Sequence, residues 1–577
     1  MEYDVAIIGG GPGGSTTGGM LRKFDSNIRV GIFEREVFPR DHIGESLLPT
    51  TCVVLNELGA WDKVEAADFP IKIGGIYRWG KSKELWDFDF LAEELFKEEP
   101  RPGTYEGQRR SVAFQVDRAL YDQILLNHAR DYGCEVHEGC KVSRVNRDGD
   151  RVTGLELETG ETVTARHYVD ASGNSAVLRR AMGVKTDEVT SLQNVAFWDY
   201  WQNADWGVKI GIGGTKIQIL SLDYGWIWFI PLGATRTSIG LVTPVSYFKS
   251  CGLRPEELYR KALGEESIVA GLLENATCES KFATTKDWSF VSERQTGENW
   301  FLVGESGGFA DPILSAGLSI THSAGREAAF TILELDRGKH DAQWLKEQFA
   351  RRQSSRLRNH IRFADYWYSA NTQFKDLQEF TAQIASENGL DLSPQNAWRW
   401  IAAGGFIDED VAIGTGTVSL QQIKVMGRFL NDLEADSPLE KNNVFKLDLS
   451  GATWMDRARY ADGKVFRDQC YVRGDRVLPI AAVIELLVNI LQRTSTLDGI
   501  MGSLEAIYRA RSNDFEFIAG TLRFAIEGLE AMISDGWVKA SYDPSRPLAQ
   551  LGTKNGQAVE FRWHEEVKRA VAEKAKN

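Results

Sequence analysis

A large α/β fold at the N-terminus, with an antiparallel sheet inserted into it and a mostly helical C-terminal domain, is what the 577-residue sequence predicts. Three observations carry this. A short β-rich run at 3–8 breaks on Gly9-Gly10-Gly11-Pro12-Gly13-Gly14, and a helical segment and a second strand at 28–33 follow, which is a β–α–β opening. From about 194 to 242 the pattern turns aromatic and β-branched, with Gly213-Gly214-Thr215 and Asp223-Tyr224-Gly225 as breakers, which reads as antiparallel sheet. Beyond about 336 helical periodicity takes over. The expected division is 1–345, with the inserted sheet at about 190–290, and 346–577.

Between these landmarks, 120–132 reads as a helix, and 135–145 and 151–157 as strands joined at Gly149-Asp150. Residues 168–173 read as a strand and turn. The first fold resumes at 300–304 and enters a helix near 319–333. In the C-terminal part 343–374, 479–492, 498–510 and 514–533 read as helices, and 436–443 as a polar linker.

Composition excludes several classes of function. Lys plus Arg number 67 against 81 Asp plus Glu, a formal charge of −14, which argues against a nucleic-acid surface and an anionic membrane surface. The six cysteines form no C-x-x-C and the eight histidines no H-E-x-x-H, so neither a disulfide framework nor a metal site is expected. The longest apolar stretch, near 479–491, is interrupted by Glu485 and is too short to span a bilayer. Met1 leads directly into a strand, with no basic region or cleavage site. A cytoplasmic protein is expected.

Gly9, Gly11 and Gly14 satisfy G-x-G-x-x-G after a strand, with Gly13 in the same turn. Glycine allows the tight turn, the close approach of backbone to a pyrophosphate and close helix–strand packing. Glu34 lies twenty residues past Gly14, where a carboxylate accepts bonds from a ribose. Together these predict a dinucleotide site. In Gly225-Trp226-Ile227-Trp228-Phe229-Ile230-Pro231-Leu232, alternation puts Trp226, Trp228 and Ile230 on one face, as a rigid dry wall or as plain core.

Further segments carry a resemblance. Residues 168–173, YVDASG, and 301–312, FLVGESGGFADP, resemble the later motifs of FAD-dependent hydroxylases of the glutathione reductase and p-hydroxybenzoate hydroxylase fold, which favours FAD over NAD. Phe38-Pro39-Arg40, Gly44-Glu45-Ser46-Leu47-Leu48-Pro49, the Lys72 segment Phe69–Gly75 and the W-x-W-x-I-P run resemble the flavin-dependent halogenases. The resemblance covers about 3–345 and implies FAD used as FADH2, O2, and chloride or bromide. It implies cofactor contacts from Arg40, Ser46, Arg118, Glu305, Pro312 and Leu318, and a halide held by backbone N–H groups at Ala316 and Gly317. Lys72, at the end of a tunnel from the flavin, would direct hypohalous acid either by hydrogen bonding as an ammonium or by carrying the halogen as an amine. The resemblance also implies a separate NAD(P)H flavin reductase and an electron-rich aromatic substrate of secondary metabolism, free or tethered to a carrier protein.

Two departures stand out. The second FAD motif usually reads Gly-Asp and here reads Gly304-Glu305. Tryptophan halogenases carry a glutamate before the serine of the halide turn, and here that position is Leu314, which places the chain nearer the halogenases of phenols, pyrroles and carrier-tethered acyl groups. The rival expectations are a flavin monooxygenase or reductase on the same scaffold and a non-catalytic flavin-binding scaffold. Gly304–Gly308 also fits the G-x-S-x-G elbow of serine hydrolases, but it coincides with the FAD motif and no H-G-G-G segment precedes it.

Overall fold

The computed structural model of the chain describes residues 1–369 apart from 80–84, 92, 94, 95, 98, 189–192 and 212, then 438–510 apart from 475 and 481, and parts of 518–561. The described residues form two compact units: 1–369 with 458–467, and the remainder of 438–561.

The first unit is built on the predicted β–α–β opening. Strand Glu2–Ile8 leads through the glycine turn into helix Pro12–Phe24 and then strand Val30–Phe33. Strands Glu135–His137, Val30–Phe33, Glu2–Ile8 and Thr162–Asp170 pair side by side in parallel, and Trp300–Leu302 adds to Thr162–Asp170. Val5, Ile7, Val30 and Ile32 are buried in the main core beneath this sheet, as a parallel sheet covered by helices requires. The strand expected over 135–145 is two strands, Glu135–His137 and Val142–Asp148, because Gly139 takes φ +64° and turns the chain between them.

The inserted sheet has nine strands among the described residues. Gln193–Gln202, Arg236–Pro244, Gly225–Pro231 and Gly214–Leu222 are consecutive antiparallel neighbours. Beyond them the sheet recruits Ile71–Arg78, which runs parallel to Gly214–Leu222 with a register shift between Thr215 and Lys216. Ile71–Arg78 in turn pairs with Trp86–Asp89 and Ala113–Phe114. The sheet therefore starts about 120 residues before the expected 190–290 segment.

Helices Gly317–Arg337 and Ala342–Ser369 close the first unit. The second lies mostly beyond the boundary expected at 345, yet it belongs to this unit. The reason is a buried charge cluster: Glu327 on one helix accepts from Arg352 Nε at 2.8 Å, Arg356 Nη2 at 2.8 Å and Gln353 Nε2 at 2.5 Å on the other. The expected continuation of that helix over 370–374 lies outside the described residues.

In the second unit the helices expected over 479–492 and 498–510 are present as Ala482–Leu491 and Leu497–Arg509, and the one expected over 514–533 falls largely outside the described residues. Strands not anticipated from the sequence accompany them, including Val444–Leu447 paired with Val538–Ser541; in the equally unanticipated run Thr453–Ala461, Lys464–Arg473 and Arg476–Pro479, residues 458–467 belong to the first unit. The linker expected at 436–443 contains a helical turn, Pro438–Lys441, whose Leu439 is buried. The unit has its own core of Phe445, Leu487, Leu504, Leu529 and Trp537. Among the described residues no helix is long and apolar enough to cross a membrane, and no group of His, Cys, Asp or Glu could hold a metal ion.

Candidate active site

A cavity of about 1130 Å³ runs through the first unit from the glycine turn to the inserted sheet. Its floor at one end is the glycine turn. Gly9 has φ +101°, and a Cβ there would lie 2.4 Å from the carbonyl oxygen of Ala171. A Cβ on Gly14 would lie 1.9 Å from the carbonyl oxygen of Gly9, so this glycine sets the contact of turn and helix. Gly9, Gly11 and Gly13 line the cavity, whereas Gly14 packs behind it. Helix Pro12–Phe24 starts at Gly11 with no side-chain cap, leaving its first N–H groups for an anion.

Glu34 also lines the cavity, with its carboxylate held by backbone: Gly10 N donates to one oxygen at 2.6 Å and Glu36 N to the other at 2.9 Å. Arg40 stands over the turn. Its guanidinium stacks on Phe38, donates to Asp122 at 3.1 Å, and would meet a Cβ on Gly11 at 3.4 Å. Arg118, the first residue of helix Arg118–Asp131, is bidentate on Asp122 at 2.7 and 2.9 Å and donates to the carbonyl oxygens of Ile43 and Gly44. It thus fixes the loop that carries Glu45 and Ser46 into the cavity. Asp170, in the YVDASG segment, points away from the cavity and accepts from Ser172, Leu178 and Arg179, which shapes the turn whose Ala171 and Ser172 are on the wall.

Glu305, Pro312, Ser315, Gly317 and Leu318 line the opposite side. Burial raises the Glu305 carboxyl above its ordinary value, and the charge of Arg118 partly offsets this. Helix Gly317–Arg337 begins at Ala316 without a side-chain cap, after Ser315 turns the chain at φ +58°. A Cβ on Gly317 would meet nothing within 4 Å, so its backbone is open to a small anion. The Ala316 side chain is off the cavity wall, buried in a cluster with Leu48, Ile320 and Phe90.

Trp226, Trp228 and Ile230 line the cavity together, as alternation predicts. Their indoles lie 6.1 Å apart. Trp228 Nε1 donates to Ser238 Oγ at 3.2 Å, and Gly240 opposite leaves room for the ring, since a Cβ there would lie 2.1 Å from it. Trp226 Nε1 donates to the Tyr368 hydroxyl at 2.8 Å, and that hydroxyl donates to Asp311 at 3.0 Å. Burial pushes the Asp311 carboxyl up to about 6. Tyr368 reaches this network from the far end of helix Ala342–Ser369. No local signal in the sequence links it to Trp226.

Lys72 is not on the cavity wall. It is 2% exposed, and Nζ donates to the carbonyl oxygen of Leu47 at 3.1 Å, one residue beyond cavity-lining Ser46. The ammonium also lies 5.4 Å from the centre of the Phe90 ring. Burial pushes it down to about 7, with no carboxylate to offset the loss of water. Glu45, a residue of the G-E-S-L-L-P motif to which the sequence assigned no role, is fully buried. Burial pushes its carboxyl up to about 7, against hydrogen bonds from Ser238 and Tyr200.

The residues present fit FAD. A cradle that any Cβ would fill, an uncapped helix start and a carboxylate beside it face a cavity large enough for a dinucleotide and a further small molecule.

Comparison with known proteins gives the class. The family model described as tryptophan halogenase matches residues 4–100 and 91–386. A tryptophan 2-halogenase of Chondromyces crocatus is 32% identical over 396 residues, spanning 67% of this chain and 72% of that protein. A 1H-pyrrole-2-carbonyl-[peptidyl-carrier protein] chlorinase of Pseudomonas fluorescens is 30% identical over 387 residues, spanning 65% of this chain and 85% of that one. The myxobacterial chondrochloren halogenase CndH superposes with a TM-score of 0.57 at 27% identity, over 74% of this chain and 96% of its own. The flavin-dependent halogenase CmlS shares the fold, with a TM-score of 0.70 at 24% identity, over 97% of this chain and 99% of its own. The chain belongs to the flavin-dependent halogenases, enzymes that use FADH2, O2 and a halide on aromatic substrates.

Proposed function

We propose that this enzyme halogenates an electron-rich phenol or pyrrole presented on a carrier protein, with Lys72 delivering the halogen. The observation that carries the reading is the buried amine: a lysine without a carboxylate partner, pushed down to about 7, beside the loop that enters the flavin cavity. Near neutrality such a group is populated both as a donor to hypohalous acid and as a nucleophilic amine. Bound FADH2 supplies the reducing power that turns O2 and halide into hypohalous acid.

The chain's own residues do the rest. Gly9, Gly11, Gly13 and Gly14 with Glu34 and Arg40 hold the dinucleotide, while Arg118 fixes the loop of Ser46 against it. Glu305, Pro312 and Leu318 seat the far end of the cofactor. The backbone at Ala316 and Gly317 holds the halide. Trp226, Trp228 and Ile230 keep an organic substrate away from the flavin and exclude water. Leu314 in place of a glutamate, together with the carrier-linked substrate of the Pseudomonas relative, favours the carrier-bound pyrrole or phenol over free tryptophan. A separate NAD(P)H flavin reductase is the source of FADH2, in keeping with the family resemblance. The reaction belongs in the cytoplasm, where carrier-bound intermediates of secondary metabolism are made.

The test is mass spectrometry of products formed with photoreduced flavin, O2 and chloride or bromide, across matched free and carrier-linked phenols and pyrroles. Halide-dependent halogenation of the carrier-linked set is expected. An oxygenated product formed equally without halide would identify a monooxygenase instead.

A further inference from the structure

The strip of sheet between the cavity and Lys72 carries two polar side chains with no hydrogen-bond partner among the described residues. Ser46 and Gln115 face each other across an antiparallel bridge. Leu47 N donating to Phe114 O at 2.9 Å and Val116 N donating to Glu45 O at 2.7 Å frame this bridge. On the other edge of the same short strand, Ile71 pairs with Phe114 and Lys72 with Ala113. Directly opposed residues share a face, and so do alternate residues of one strand. Ser46, Gln115, Ala113 and Lys72 therefore share one face, opposed Cβ atoms being about 4.5–5.5 Å apart. Ser46 is on the cavity wall and Lys72 is not, so Gln115 occupies the ground between them.

Gln115 is wholly buried. Both its amide nitrogen and its amide oxygen lack a partner, as does Ser46 Oγ. Leaving such groups unsatisfied is costly, and a native fold keeps them where a water or ligand completes the bonding.

We propose that Gln115, assisted by Ser46, is a positioning residue that holds hypohalous acid between the flavin cavity and Lys72. This rests on the halogenase reaction with Lys72 as the delivering group. Hypohalous acid is a small hydroxylic molecule that both donates and accepts. The Gln115 amide offers it an N–H and a carbonyl oxygen, Ser46 meets it on the cavity side, and Lys72 receives it on the other. No bond is made or broken at Gln115.

The experiment compares wild type, Gln115→Met and Lys72→Ala, each full length with FADH2, O2, bromide and an aromatic substrate. Four quantities are read: halogenated product per flavin oxidised, hypobromous acid reaching an added β-diketone scavenger, FAD affinity by fluorescence, and Tm. Gln115→Met is expected to lose about tenfold or more in product per flavin oxidised, with the lost oxidant recovered on the scavenger, FAD affinity unchanged and Tm unchanged or raised. Full coupling in Gln115→Met overturns the proposal. So does a Tm lower by several degrees, the mark of a structural amide, or a large loss of FAD affinity, the mark of a cofactor contact. If wild type gives halogenated product and Lys72→Ala does not, full coupling in Gln115→Met overturns the positioning role alone. If wild type gives no halogenated product, the halogenase reading and this role fail together.

Discussion

Lys72 combines a cation with near-total burial, and the two conflict. Its folded-state value of about 7 lies below the ordinary 10.5, so protonation favours the unfolded chain. The destabilisation is complete below pH 7 and is relieved as pH rises from 7 toward 10.5. Lys72→Met should therefore be more stable than wild type at pH 6, on the order of 3–5 kcal/mol, with the gain shrinking toward pH 10. Denaturant titrations at the two pH values check this, and a gain that does not change with pH would contradict it. Lys72 was legible in the sequence because a motif surrounds it and Ile71 and Ile73 flank it. Its acceptor on Leu47 and the raised Glu45 carboxyl were not, because both depend on contacts far apart in the chain.

At the scale of elements, the glycine turn and the tryptophan strand were legible for the same reason: each is a local pattern with one steric meaning. Gly14→Ala tests the turn. Its Cβ would lie 1.9 Å from the carbonyl oxygen of Gly9, so the helix must back away from the strand. FAD affinity should fall by at least about tenfold, since the N–H groups of that helix start lose their alignment. A fluorescence titration that finds wild-type affinity would remove the turn from the binding site. The pairing of Ile71–Arg78 with Gly214–Leu222 was not legible. Each strand reads as apolar on its own, and nothing in the periodicity says which distant strand it joins. The strand Lys464–Arg473 was missed for another reason: its buried Val465 and Cys470 are five residues apart, with half-buried or exposed Phe466, Arg467, Asp468 and Gln469 between them, so the two-residue alternation is blurred.

On the scale of the molecule, the Glu327 cluster fastens helix Ala342–Ser369, and with it Tyr368, onto the cavity's aromatic wall. Arg356 and Arg352 overcome the effect of burial and hold the Glu327 carboxyl down at about 2, below the ordinary 4.5. The stability it lends is full above pH 4.5 and is lost as pH falls toward 2. Glu327→Ala leaves buried guanidinium groups without that carboxylate and should cost about 3–5 kcal/mol at pH 7. Thermal melts across the acid range should show a smaller cost near pH 2, and a constant cost would contradict the account. The sequence placed a domain boundary within the first turn of this helix, at 345, because helical periodicity alone cannot say which core a helix joins.

The central claim is that oxidant made in the flavin cavity reaches substrate only through the side chain at position 72. A single-turnover reaction of Lys72→Ala with bound FADH2, O2, halide and a substrate that wild type halogenates tests it most directly. The account predicts flavin oxidation at the wild-type rate with halogenated product reduced by about 100-fold or more. Wild-type product yield from Lys72→Ala would contradict it.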